Sequence, residues 1–194
     1  MRRVLYFLPV LAALALSGCG INAIPADKQR VNAAWSQVLN EYQRRADLIP
    51  NLVATVKGYA RHERRVLTEV TDARARVTQT RIPANILTNP KAFHQFERNQ
   101  ATLGGALSRL MAVTENYPNL KADQNFLTLQ AQIEGTENRI AVARRDYILA
   151  VRRYNTELVT YPGRWWHDAL YQKYKVMQNF TITHQAMRVP KVHF

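Results

Sequence analysis

One dipeptide opens like the helix of a metalloprotease. His62-Glu63 begins the pattern His-Glu-x-x-His, in which two imidazoles one helical turn apart hold zinc and the glutamate acts as general base. The pattern fails at Val66, where the second imidazole would have to stand. A polar pair on a solvated helix face accounts for those two residues. His94, His167, His184 and His193 show no ligand spacing with carboxylates or thiols. Glu134 and Glu137 are three apart and could share a helix face. A di-metal site in a bundle needs Glu-x-x-His partners on facing helices, and neither glutamate is followed by that histidine. Ser36 and Ser108 sit in no Gly-x-Ser-x-Gly turn, and no phosphate-binding glycine loop occurs. The expectation is therefore no catalytic residue, no metal and no cofactor. Position singles out Cys19, the only cysteine and so without a disulfide partner.

The residues before Cys19 say where it would be used. Met1-Arg2-Arg3 is a short positive start, and Val4 to Leu16 is an apolar run without a charge. That run falls short of the roughly 20 residues that span a bilayer, so it reads as a signal segment. Its end, Leu16-Ser17-Gly18-Cys19, resembles a bacterial lipobox. The resemblance implies cleavage before Cys19, a diacylglyceryl group on its thiol and a fatty acyl group such as palmitate on the new amine. An unmodified thiol is the alternative. Acyl chains contribute about 0.8 kcal/mol per buried CH₂, so two or three of them hold a protein on a bilayer. Gly20 stands where, in such lipoproteins, an aspartate often retains the chain in the inner membrane. The expected location is thus the bacterial envelope, on the periplasmic side and at the outer membrane.

Twenty-seven bases face 14 acids. Removing Arg2 and Arg3 with the signal leaves 25 against 14, or +11. Such a surplus suits anionic partners. Export to a compartment without a genome argues against nucleic acid and leaves acidic lipid or acidic protein.

The elements that would position these groups are helical. Residues 1–18 read as signal, 19–26 as a lipidated tether, 27–161 as helices, and 162–194 as a short helix with an aromatic and basic tail. Val31, Trp35, Val38 and Tyr42 recur at spacings of three and four. Asp47 could cap a new turn with Pro50 inside it, so a kink or break is expected there. The stripe resumes with Leu52, Val56, Tyr59, Leu67, Val70, Ala73 and Val77, to about Thr80. Arg81 to Asn89 reads as a loop. Thr88 or Asn89 caps a second helix with Pro90 in its first turn and Phe93, Phe96, Leu103, Leu107, Leu110 and Met111 on its apolar face. Gly104-Gly105 weakens it, and close helix packing would be one reason for such small residues. A third long helix spans about Ala122 to Val159, with Phe126, Leu129, Ile133, Ile140, Tyr147, Val151, Tyr154 and Leu158 in one stripe. After Pro162-Gly163 a short helix is expected around Asp168 to Gln178. No period-two alternation calls for a sheet. Long helices with short connections pack antiparallel, so the expected fold is all-α, an elongated antiparallel up-and-down four-helix bundle.

Two blocks carry a resemblance. Ala34-Trp35-Ser36-Gln37, Arg44-Arg45-Ala46-Asp47-Leu48-Ile49-Pro50-Asn51-Leu52-Val53 and Val56-Lys57-Gly58-Tyr59-Ala60-Arg61-His62-Glu63 form the first. Tyr117-Pro118-Asn119-Leu120-Lys121-Ala122-Asp123 and Thr136-Glu137-Asn138-Arg139-Ile140-Ala141-Val142-Ala143-Arg144 form the second. Together they are similar to the LemA family. Tyr154-Asn155 and Pro190-Lys191-Val192 fit as well. The resemblance implies a membrane-attached, bundle-shaped bacterial protein and no established catalytic site. Arg81 to Gln100 looks like an insertion against it, and the lipobox stands where most members would have a membrane helix.

Two surfaces remain as candidates for binding. Arg144, Arg145, Arg152 and Arg153 read as a group on one side of the third helix, either solvated or docking acidic lipid or protein. Trp165 and Trp166 begin the aromatic and basic tail, either packed over the bundle end or exposed. The function expected is a non-catalytic, lipid-anchored scaffold or partner-binding protein of the envelope, its protein partner unknown. The alternatives are a metal-dependent hydrolase with a site assembled across helices, and a surface module for acidic lipid.

Overall fold

The computed structural model describes residues 20–181. The signal segment, Cys19 and the tail beyond Thr181, with His184 and His193, lie outside the described residues. Within them all regular structure is helical. The α-helices are α1 (Ala23–Tyr59), α2 (Arg64–Gln79), α3 (Pro90–Thr114), α4 (Pro118–Lys121), α5 (Gln124–Val159) and α6 (Gly163–Leu170), with a 3₁₀ turn at Ile86–Thr88.

Ion pairs fix how the long helices run. Along α1, Asp27, Glu41 and Arg45 meet Arg153, Arg139 and Glu137 of α5 in turn, so the two helices are antiparallel. α2 folds back along α1, and α3 runs opposite to α2, with Arg109 on Glu69 and Asn99 on Thr80. α3 reaches α1 and α5 mainly through large side chains. Trp35 lies 5.1 Å from Phe96 and 5.8 Å from Phe93, ring centre to ring centre. Apolar side chains gather in two separate clusters. One, around Ile24, Val31, Trp35, Phe93, Tyr147 and Tyr154, fills the half nearer the amino terminus. The other, around Ile49, Leu52, Val70, Leu103, Leu110 and Phe126, fills the far half. Burial of these stripes supplies most of the helices' stability, because single helices are marginal in water.

Several boundaries differ from the expectation. The break at Asp47–Pro50 does not occur. α1 runs unbroken from Ala23 to Tyr59 with Pro50 inside it, and Asp47 accepts from Gln43 Nε2 at 2.8 Å rather than capping a turn. Proline removes the bond its N–H would give to the carbonyl four residues back. That carbonyl, Ala46 O, instead accepts from Arg74 Nε of α2 at 2.9 Å. A donor from another helix thus compensates the proline, and the chain turns only at Ala60–Glu63. The expected tether is also shorter, because α1 begins at Ala23. Pro25 is tolerated in the first turn, where its N–H would have no helical partner, and Ile24 is fully buried.

The second helix starts as expected, with the Asn89 side chain accepting from Ala92 N. Its glycines do not serve close packing. A Cβ at Gly104 would meet Arg45 Nη1 at 3.9 Å, and one at Gly105 would meet Arg109 Nη1 at 3.8 Å, both ordinary contacts. Asp123 caps α5 by accepting from Phe126 N, so the third long helix opens at Gln124.

The expected helix at Asp168 to Gln178 is replaced by α6 at Gly163–Leu170 and an extended return. Side chains of α5 take up the backbone groups a helix would have used. Tyr154 Oη donates to Lys175 O, and Asn155 both donates to Met177 O and accepts from Met177 N, each of those two at 2.9 Å. Tyr147 Oη donates to Gln178 O at 2.7 Å. Burial pushes the Tyr154 phenol up to about 12, and it pushes the Tyr147 phenol well above its ordinary value too.

Candidate functional site

A polar layer crosses the molecule between the two apolar clusters. It is built from positions that the helical stripes would fill with apolar residues. Arg45 stands between Tyr42 and Ile49, Gln100 between Phe96 and Leu103, and Thr136 between Ile133 and Ile140; all three are buried. Arg45 is 3% exposed. Its Nη1 donates to Glu137 Oε1 at 2.7 Å and its Nη2 to Gln100 Oε1 at 2.7 Å, while Nε is buried with no partner among the described residues. Beside it, Arg139 joins the Glu41 carboxylate at 3.0 Å and Thr136 Oγ1 at 2.8 Å. Glu134 and Glu137 therefore part company: Glu137 goes to Arg45, and Glu134 accepts from Gln130.

A groove of about 640 Å³ opens next to this layer, between α3 and α5. Tyr42, Ile140 and Phe180 supply its apolar surface, and His94, Glu97, Arg98 and Arg144 supply charge of both signs. His94 Nδ1 and Glu97 Oε2 are 2.9 Å apart. The Tyr42 phenol is raised by burial, against the opposing pull of Arg144 and Arg45. Sequence reasoning missed Arg45, Gln100, His94 and Glu97. For Arg45 and Gln100 the available signal was a polar residue inside an apolar stripe; the exposed His94 and half-buried Glu97 carried no such signal.

The four arginines of α5 do not form one patch. At about 100° per residue, positions 144 and 153 point to opposite sides of a helix. Arg144 is half-buried, its guanidinium 4.4 Å from the Phe180 ring centre in the groove. Arg153 reaches Asp27 at 3.1 Å on α1, and the buried Asp27 is shared with Arg30. Arg145 and Arg152 face solvent. Trp165 is 64% exposed and its ring lies tilted against that of Tyr161, whereas Trp166 packs against the near cluster. His62 is exposed and lies in the turn after α1 rather than on a helix, while Glu63 accepts from Tyr117 Oη at 3.0 Å. Among the described residues no three His, Cys, Asp or Glu side chains come together around a common point, and no helix is long and apolar enough to cross a membrane.

A family model described as the LemA family matches residues 34–194, most of the chain and both resembling blocks. The chain belongs to the LemA family. A LemA protein of Metamycoplasma hominis is 22% identical over 152 residues, 78% of this chain and 64% of that protein. Magnetosome protein MamQ 2 of Paramagnetospirillum magneticum is 39% identical over 59 residues, 30% of this chain and 22% of that one. Magnetosome protein MamQ of Magnetospirillum gryphiswaldense is 29% identical over 77 residues, 40% of this chain and 28% of that one. This LemA-family chain thus spans less than a third of the magnetosome relatives it matches and just under two thirds of the mycoplasma one.

Proposed function

We propose that this LemA-family chain is a non-catalytic, lipid-anchored protein of the bacterial envelope that presents a partner-binding groove on an elongated up-and-down four-helix bundle. Anchoring is through Cys19, on the periplasmic side of the outer membrane. The observation that carries the reading is the α3–α5 groove. It is open, of a size for a peptide segment, and lined by His94, Glu97, Arg98 and Arg144 around an apolar floor. Each buried charge is matched by a more exposed partner on the facing helix, Arg45 by Glu137, Glu41 by Arg139 and Asp27 by Arg153, which is the organisation of a rigid support. The lipobox and the signal segment support the location.

Photo-crosslinking in intact cells tests it. A crosslinker at Ala101 or Arg98, which line the groove, should give a discrete protein or cell-wall adduct that Arg144→Glu abolishes. A crosslinker at Arg65, outside the groove, should give none. Identical adducts at all positions, or none while the chain remains in the membrane fraction, would refute the groove as the binding site. Cys19→Ser should abolish incorporation of a fatty-acid label and release the chain from that fraction.

A further inference from the structure

We propose that α6 and the residues flanking it form a foot that sits in the headgroup region of the lipid bilayer and fixes the bundle upright on it. The inference rests on the reading that residue 19 carries the membrane anchor.

α5 ends at Val159, α6 makes the corner, and the extended chain returns along α5 through Lys175, Met177 and Gln178. α6 therefore caps the pole of the molecule at which α1 begins. Apolar side chains crowd that pole on the outside: Val159 is 60% exposed, Tyr161 62%, Trp165 64% and Leu170 56%. The Tyr161 and Trp165 rings lie 5.1 Å apart. Tyrosine and tryptophan, with an apolar body and a polar tip, are the side chains that favour the membrane–water boundary. Arg152, Arg164, Lys173 and Lys175 around them face solvent, a rim suited to lipid phosphates. Asp168 is the exposed acid on α6, and Arg164 and His167 both approach it.

The occupant follows from where the undescribed chain enters. Gly20, one residue after Cys19, lies against α6: a Cβ there would meet Trp166 Nε1 at 3.2 Å and Pro162 Cγ at 3.7 Å. Trp166 Nε1 is buried without a partner among the described residues. Whatever holds residue 19 at a bilayer brings the exposed Tyr161, Trp165 and Leu170 to the same bilayer. With that pole down, the 37 residues of α1 carry the turn at Ala60–Glu63 about 55 Å outward, at 1.5 Å per residue.

The test uses the processed, acylated chain reconstituted into phosphatidylethanolamine–phosphatidylglycerol vesicles whose acyl chains carry bromine, a short-range quencher of indole fluorescence. Tryptophan emission should be quenched. Trp165→Phe should lose most of the quenched component while keeping its circular dichroism and its retention after an alkaline carbonate wash. Unquenched emission from a chain that survives the wash would overturn the foot and leave a protein partner to cover that face. Release of the chain by the wash would overturn the anchor, and the foot with it.

Discussion

The proline inside α1 offers a sharp test, because its cost is offset from a different helix. Pro50 leaves Ala46 O without a helical donor, and Arg74 Nε supplies one at 2.9 Å. A hydrogen bond with a charged partner is worth about 1.5–3 kcal/mol. Arg74 is only partly buried, so Arg74→Ala should cost about 1–2 kcal/mol, or a fall of roughly 2–8 °C in Tm for a chain of this size. Pro50→Ala restores an N–H that reaches Ala46 O from within the helix. Relief of an interior proline, worth up to about 3 kcal/mol, is partly offset by the freer unfolded chain, so this variant should be more stable by about 1–2 kcal/mol. The decisive quantity is the cycle. In the Pro50→Ala background Arg74→Ala should cost within about 0.5 kcal/mol of nothing, the usual range for a surface change. Urea unfolding followed by circular dichroism at 222 nm gives all four values. Equal cost of Arg74→Ala in both backgrounds would refute the compensation.

Other expectations concern the polar layer, the glycines and the tyrosines. Gln100→Ala strips a charged hydrogen bond from Arg45 and should cost about 1.5–3 kcal/mol, while Arg45→Met with Gln100→Leu should recover most of it; unfolding free energies check both. Gly105→Ala should gain about 0.5–1 kcal/mol, since its methyl group meets only a flexible arginine end. Gly163→Ala should instead loosen α6, because a Cβ there would come within 2.2 Å of Glu157 O; limited proteolysis after Lys173 reads the difference. Burial holds the Tyr154 phenol at about 12 and raises those of Tyr147 and Tyr42. Groups with raised values favour the folded state below the ordinary value near 10, and that stability is lost as the pH climbs towards 12. Phenolate absorbance should therefore lag in the native chain and rise together with loss of helix. Early titration of all tyrosines without unfolding would contradict this.

The helices were legible because each buries one stripe, and the stripes stand in the sequence at spacings of three and four. The Asn89–Pro90 start was legible because a cap is written in adjacent residues. Pro50 misled because Asp47 and Pro50 carry the local signature of a helix start, and the donor that overrides it, Arg74, sits on the next helix. The tail misled for a related reason: the Asn155 amide, distant in sequence, takes both backbone groups of Met177. Arg45 was read only as part of the block that carries the family resemblance, although its place between Tyr42 and Ile49 marks it as interior. The groove was beyond sequence reading, since its walls come from helices that are not consecutive. The four arginines of α5 looked like one surface because proximity along the chain was read as proximity around the helix axis.

The layer at Arg45 has a consequence for how the molecule comes apart. Because the apolar residues on either side of it belong to separate clusters, the halves share backbone but little grease. α2 and the C-terminal part of α3 can then melt while the half around Trp35 and Tyr147 stays folded, giving two opening events where a continuous core would give one. Native-state hydrogen exchange should sort the amides of α2 and of the Trp35–Tyr147 region into two isotherms. A single shared opening free energy would mean that charge stitches the halves together as firmly as oil would have done.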